Sequence, residues 1–348
     1  MKLLIIHNLE SGLHDGTVFD FMRMFATADD ELTVRCTDGK VPVEFLVEDA
    51  ADFDAVIASG GDSTVSAICY QLRYTNIPIL PFPAGTGNVL NLNIGSTEEP
   101  FALAENVRRG LTVDYDLGEI IFGAGTADER AIGFTIMAGA GYDAKIMTDS
   151  RGLKNPYGHM AYVMAAFGNP TPTFAHFKLE VDGKSYESDG ISVLFLNFAE
   201  LFEGLRVTTG TDPRDGMLEV DILKTKDAWG LLPAVFSALA DIDGRDPNRA
   251  STMEIHRGRE FTLESDPPLT IQYDGEAIDL TTPIRVHVLP HATRLYVTET
   301  EYEREHARDM EHNREALRAE EQLRMLDAQL ERHAAEADDG ATADVTDA

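Results

Sequence analysis

Ala55-Val56-Ile57-Ala58-Ser59-Gly60-Gly61-Asp62-Ser63-Thr64-Val65 sets a short apolar run against a Gly-rich turn, with Ser63 and Thr64 standing where a helix from Val65 to Tyr74 would begin. Two glycines let the backbone come close to a ligand and take dihedrals closed to other residues. The hydroxyls can cap the following helix, whose free N–H groups and positive dipole end attract phosphate. A tight strand-to-helix turn with a Ser/Thr cap is also ordinary architecture, so this stretch by itself leaves both readings open. A second turn of the same kind follows. Ile77 to Phe82 is another apolar run, and it ends in Pro83-Ala84-Gly85-Thr86-Gly87-Asn88. Two such loops at neighbouring strand ends make one crevice, the usual ligand site of an open α/β sheet.

Outward from these loops, residues 1–118 alternate: strand Leu3 to Ile6, helix Thr17 to Thr27, strand Leu32 to Arg35, then the two loop-bearing strands and a helix from Glu98 to Arg109. That alternation predicts an α/β domain with a parallel sheet. Residues 119–297 change to short alternating runs, among them Phe177 to Val181, Ile191 to Leu196, Leu218 to Ile222, Phe261 to Leu263, Leu269 to Tyr273 and Ile284 to Val288. Asp182-Gly183 and Asp274-Gly275 supply hairpin turns between them. They predict a mostly antiparallel β-sandwich, with its last strand free to return to the N-terminal domain and with helical inserts at Gly158 to Phe167 and Trp229 to Ala240. Residues 298–336 read as a charged helix whose apolar stripe, Ala316, Ala319, Leu323, Leu326 and Leu330, suits a partner helix, a homodimer contact included. Residues 337–348 read as a disordered acidic tail.

The net charge of −31 argues against a nucleic-acid partner, which needs basic patches, and against unaided adsorption to anionic membranes. Residues 299–348 hold 16 Asp/Glu against 6 Arg, so about a third of the excess lies in the tail. Cys36 and Cys69 make neither a disulfide framework nor metal-type spacing. Met1 to Ile6 is too short for a secretory leader, and no stretch is long enough to span a bilayer, which points to a cytoplasmic protein with at most peripheral membrane contact.

Six ordered segments together resemble the diacylglycerol kinase and sphingosine kinase catalytic superfamily, in particular the soluble bacterial lipid kinases that share an N-terminal domain with NAD kinases. Asn8, Ser11 and Gly12 match the first phosphate-side loop, with Leu9 in place of a proline. Gly60-Gly61-Asp62-Ser63-Thr64 looks like the GGDGT signature, with Ser63 in place of its third glycine. Gly85-Thr86-Gly87-Asn88 matches the second nucleotide loop, and Ala138 to Ala144 is similar to a strand-end segment between the domains. Asp215-Gly216-Met217-Leu218-Glu219-Val220 and Asp274-Gly275-Glu276 match the two carboxylate-bearing segments of the β domain. Ala67 stands where a glutamate is common, and no Lys or Arg follows Gly12; His14 and Arg23 are the nearest substitutes.

The resemblance implies an ATP- and Mg²⁺-dependent kinase that phosphorylates a lipid hydroxyl at a membrane surface, diacylglycerol or a related neutral lipid. By the same resemblance Asn8, Ser11, Gly12, Gly60, Gly61, Ser63, Thr64, Gly85, Thr86 and Asn88 hold the nucleotide, and Asp62 lies beside the phosphates and the catalytic metal. Asp274 is implied as the base, with Glu276 its neighbour in the metal network and the reverse assignment open. Asp212, Asp215 and the Met217 carbonyl resemble a structural Mg²⁺ site, although an ordinary acidic turn explains Asp212-Pro213-Arg214-Asp215-Gly216 equally well. An NAD kinase-like enzyme, or a nucleotide- or lipid-binding regulator that lost turnover through Ser63 and Ala67, are the rival readings.

Overall fold

The computed structural model describes residues 1–12, 16–141, 172–202, 205, 206, 208, 211–226, 252–311, 314 and 318. The expected helical inserts at 158–167 and 229–240, residues 142–144 of the strand-end segment, position 14, the apolar stripe from 316 to 330 and the acidic end lie outside the described residues.

The first half runs β1 (Lys2–Asn8), α1 (Thr17–Phe25), β2 (Glu31–Thr37), α2 (Val43–Leu46), β3 (Ala55–Gly60), α3 (Asp62–Gln71), β4 (Pro78–Pro83), α4 (Val89–Asn93) and α5 (Pro100–Arg109). β2, β1, β3 and β4 are parallel neighbours in that order. Strand period two sends Leu3, Ile5 and Ile57 to one face, where they pack with Val18, Phe21 and Phe25 of α1 and Leu103 and Val107 of α5. Leu4, Ile6, Val56 and Ala58 go to the other face, against Val65 and Ile68 of α3 and Leu46 of α2. Helices on both faces explain why β3 is buried along its whole length. Each fully buried Leu or Ile here contributes about 1.5–3 kcal/mol. Pro100 opens α5 at a position that needs no N–H donor, and Gly110, at φ 68°, closes it.

The second half adds β5 (Thr112–Phe122), β6 (Arg130–Phe134), β7 (Met137–Gly141), β8 (Ala175–Val181), β9 (Lys184–Gly190), β10 (Ser192–Leu196), β11 (Glu200–Phe202), β12 (Leu205–Arg206), β13 (Leu218–Leu223), β14 (Met253–Gly258), β15 (Glu260–Asp266), β16 (Thr270–Tyr273), β17 (Glu276–Thr281) and β18 (Ile284–Tyr296). A six-stranded antiparallel sheet has the order β14-β13-β10-β7-β16-β17. It packs on β5, β8, β15 and β18 through Phe195, Val220, Ile222 and Ile271 on one side and Phe177, Leu263, Val286 and Ile120 on the other, which makes the sandwich.

β18 returns to the first half, pairing Arg294 and Leu295 in parallel with Pro78 and Ile79 of β4. Its earlier residues pair antiparallel with β15, and most of its length pairs with β5, so one ten-stranded sheet runs through both halves. The boundary expected at 118/119 falls inside β5, which the sequence divides by composition but the backbone does not. Contacts group residues 1–298 as one unit and 299–348 as another; in the latter, 299–311 are helical.

Candidate active site

Three loops meet where β1, β3 and β4 end, and the glycines show how closely. A Cβ on Gly12, whose φ is 66°, would fall 2.0 Å from the Ala84 carbonyl oxygen. One on Gly85 would fall 2.6 Å from the Gly61 Cα, so only glycines let these backbones touch. Side chains pin the same junction. Asn8 Nδ2 donates to Thr64 Oγ1 at 2.9 Å, Gly61 N–H donates to Ser11 Oγ at 3.2 Å, and Gly85 N–H donates to Asn88 Oδ1 at 2.9 Å. Asn88 takes the left-handed conformation at the start of α4. Thr64 and Val65 N–H groups return to the Gly61 carbonyl, while the N–H groups of Asp62 and Ser63 begin α3 with no helical carbonyl before them. Every nucleotide-side residue expected from the sequence is thus gathered at one edge of the sheet.

Asp62 leans across to the second loop. Its Oδ1 accepts the Leu90 N–H at 2.9 Å in the first turn of α4, and its Oδ2 is the atom that a methyl on Gly87 would meet at 3.4 Å. Burial pushes the Asp62 carboxyl up from its ordinary range, and the nearby charge of Asp274 adds to the shift.

Asp274 comes from the other half of the chain, at the tip of the β16–β17 hairpin. Asp274 and Gly275 have φ of 41° and 83°, the paired positive values that a two-residue hairpin turn needs. Its Oδ2 accepts the Thr135 N–H at 2.6 Å and the Thr135 hydroxyl at 3.0 Å. Its Oδ1 accepts the Ile136 and Met137 N–H groups, each at 2.9 Å. A carboxylate has about four lone-pair directions, and these four donors fill them. Burial nonetheless raises its pKa against the lowering effect of those donors. Glu276 opens β17, opposite Tyr273 and partly exposed.

Asp212, Asp215 and Met217 share the loop before β13, which is anchored to β5. Asp116 donates its N–H to the Pro213 carbonyl at 2.8 Å, and its buried carboxylate accepts the Gly216 and His291 N–H groups, each at 2.7 Å. Asp215 is ion-paired with Arg257 and accepts the Met217 N–H at 3.0 Å, and Asp212 accepts the Arg214 N–H at 3.2 Å. Among the described residues no group of three or more His, Cys, Asp or Glu side chains is placed to hold a metal ion.

Thr37, Ser66 and Thr135 are further polar residues of the site that motif reading passed over. Thr37 is buried beside Asn8 at the end of β2. Ser66 stands one helical turn after Asp62, a spacing that could have drawn notice. Thr135 lies in a plain β run and carried no signal.

Residues 2–120 match the family model described as diacylglycerol kinase catalytic domain, and residues 136–297 match the YegS C-terminal NAD kinase beta sandwich-like domain. The chain belongs to the diacylglycerol kinase-like superfamily. Members of this superfamily include a diacylglycerol kinase of Mycobacterium tuberculosis, 30% identical over 58% of this chain and 66% of its own length. A probable YegS-like lipid kinase of Alcanivorax borkumensis is 26% identical over 85% of this chain and 96% of its own. An uncharacterized protein of Synechocystis is 26% identical over 69% of this chain, which spans only 54% of that relative. The fold agrees with the crystal structure of a putative diacylglycerol kinase from Bacillus anthracis, at a TM-score of 0.69 and 18% identity, covering 86% of this chain and 96% of that one.

Proposed function

We propose that this kinase transfers the γ-phosphoryl group of ATP, with Mg²⁺, to the hydroxyl of diacylglycerol or a related neutral lipid. The observation that carries the proposal is that Asp62, from the glycine-loop helix, lies near enough to Asp274, from the sandwich hairpin, for the charge of Asp274 to raise its pKa. Phosphoryl transfer needs positioning, neutralisation of the phosphate charge and removal of the acceptor proton. The packed loops at Gly12, Gly61 and Gly85 would let backbone approach the phosphates of a bound nucleotide, and the first N–H groups of α3 would serve as donors to them. The donor chemistry fits a hard cation: the half-buried Asp62 carboxylate, raised in pKa by desolvation and by the charge of Asp274, gains from a nearby positive charge, and Mg²⁺ is ordinarily held by one or two carboxylates with phosphate oxygens and water. Asp62 would hold it, and it would neutralise charge on the phosphates.

The sequence reading set the base at Asp274. With its four acceptor directions spent on residues 135–137, Asp274 suits the work of fixing the hairpin, and we assign proton removal to Glu276, which is partly exposed on the same turn. Large apolar side chains lie exposed near the same sheet edge, Leu9 after β1, Phe19 on α1, and Val41 and Phe45 after β2, which supports peripheral contact with a membrane carrying the substrate. Among the described residues no helix is long and apolar enough to cross one.

Radiolabelled ATP incubated with the protein, Mg²⁺ and a panel of free lipids, lipid extract and NAD tests the proposal. Label in a neutral lipid is expected. Label in NAD alone would replace the lipid reading with an NAD kinase, and ATP binding without transfer to any acceptor would leave a regulator.

A further inference from the structure

Asn93, the last residue of α4, reaches the backbone of the sandwich half. Its Nδ2 donates to the Val89 carbonyl of its own helix at 2.9 Å and to the Glu200 carbonyl at 2.7 Å, and its Oδ1 accepts the Glu200 N–H at 3.2 Å. Both amide hydrogens and the oxygen are thus spent, and one distant residue is gripped by its backbone as a neighbouring strand would grip it. The bond to Val89 fixes which way the amide faces. Hydrogen bonds continue from this pair in both directions. Three residues earlier on α4, the Leu90 N–H is held by Asp62 at 2.9 Å. Three residues before Glu200, the buried Asn197 donates its Nδ2 to the Thr135 carbonyl at 2.7 Å and to the Asp116 carbonyl at 2.9 Å, and its N–H to the Ile136 carbonyl at 2.9 Å. Thr135 and Ile136 are the residues whose N–H groups hold Asp274. Phe198, inside the strap 197–200, is buried with its ring centroid 5.6 Å from that of Tyr115, which leaves the strap little freedom.

We propose that Asn93 is a positioning residue, whose grip on the Glu200 backbone sets the spacing between Asp62 on the glycine-loop side and the hairpin of Asp274 and Glu276. The two residues it joins are 107 positions apart in the chain, one in each half. A group that acts on a substrate must be held within about 0.5 Å of its productive place. Apolar packing between the halves has no direction of its own, whereas the amide's bonds have fixed lengths and angles. Aspartate, of the same shape, would instead set a carboxylate against the Val89 and Glu200 carbonyl oxygens. Because the amide is fully spent on backbone, Asn93 takes no part in any covalent step. The inference rests on the kinase reading above.

The test is Asn93→Ala, followed by thermal melting, calorimetric titration with ATP, hydrogen–deuterium exchange, and steady-state assay with ATP, Mg²⁺ and diacylglycerol in mixed micelles. Asn93 and Glu200 are only partly buried, so water can take up the lost bonds, and alanine suits a helix; the variant should melt within about 4 °C of the parent. Expected are unchanged ATP affinity and KM for ATP, a kcat lower by about 10–100-fold, the scale of a misplacement near 1 Å, and faster exchange at residues 135–137 as well as 197–200. Asn93→Asp should lower kcat at least as far. An asparagine that serves only the local fold would speed exchange at 197–200 alone and leave kcat unchanged, and that result overturns the inference, as does a fall in ATP affinity large enough to account for the lost turnover. A parent protein that transfers no phosphate to any lipid would overturn the kinase reading, and the exchange at 135–137 would then decide by itself whether Asn93 ties the two halves together.

Discussion

Thr135 gives both its backbone N–H and its hydroxyl to one oxygen of Asp274, at 2.6 and 3.0 Å. A carboxylate held in this way acts on the backbone around it, because residues 135–137 form the link between β6 and β7 and would otherwise bury unpaired N–H groups. Asp274→Asn turns one acceptor oxygen into a donor facing donors. It should cost about 2–4 kcal/mol, read as a lower urea midpoint, and should lower turnover through the fold.

Glu276→Gln separates the two carboxyls of the hairpin. The variant should melt with the parent and lose about 10²–10⁴-fold in kcat, the usual worth of a positioned proton acceptor. Parent-like turnover in steady-state assays would return the base to Asp274 or Asp62.

The glycine contacts predict a graded series. Gly85→Ala places a methyl 2.6 Å from the Gly61 backbone, which must shift, so a loss of about 1–3 kcal/mol and of ATP binding is expected. Gly87→Ala meets the Asp62 Oδ2 at 3.4 Å and the Val89 Cγ2 at 3.5 Å, so the fold should persist while ATP affinity with Mg²⁺ falls. Melting curves with calorimetry of both variants check the order.

Arg257 occupies Asp215, the carboxylate matched to a structural cation site. Arg257→Ala should therefore strengthen any Mg²⁺ binding at Asp212 and Asp215, seen as a larger rise in melting temperature on adding Mg²⁺. An equal rise in parent and variant would mean that the loop takes no metal.

Glu219 and Asp221 alternate along β13, both buried, and burial drives both carboxyls upward, that of Asp221 further because of the charge of Glu219. The folded chain then holds protons that the unfolded chain has lost, in the window that opens at the ordinary values of 3.8 and 4.5 and extends upward. Stability from this pair therefore falls as pH rises through that window. Asp221→Asn should flatten that fall in melting temperature between mildly acidic and alkaline buffer. Parallel curves for parent and variant would show that Asp221 is already ionised in the folded chain throughout that range.

The glycine loops were legible because they are local: a turn that needs small residues and a helix start that needs caps must spell those needs within a few positions. The ends of elements were less so. α3 begins at Asp62, three residues before the apolar pattern does, because a first turn is set by capping geometry and dipole rather than by a buried face. β9 escaped notice, since Lys184–Gly190 pairs with β8 while showing little apolar alternation.

By itself the sequence determined the strand and helix periods, the two glycine loops and the carboxylates that define the family, all of them properties of short stretches. Only the tertiary structure decided that β18 completes the parallel sheet beside β4, that Asp274 is saturated by residues 135–137, and that Asp215 faces Arg257. Those facts depend on strand register and on which groups burial brings together across distant parts of the chain. No short stretch carries that information, because the energy that selects a partner for a buried charge is set by what surrounds it after folding.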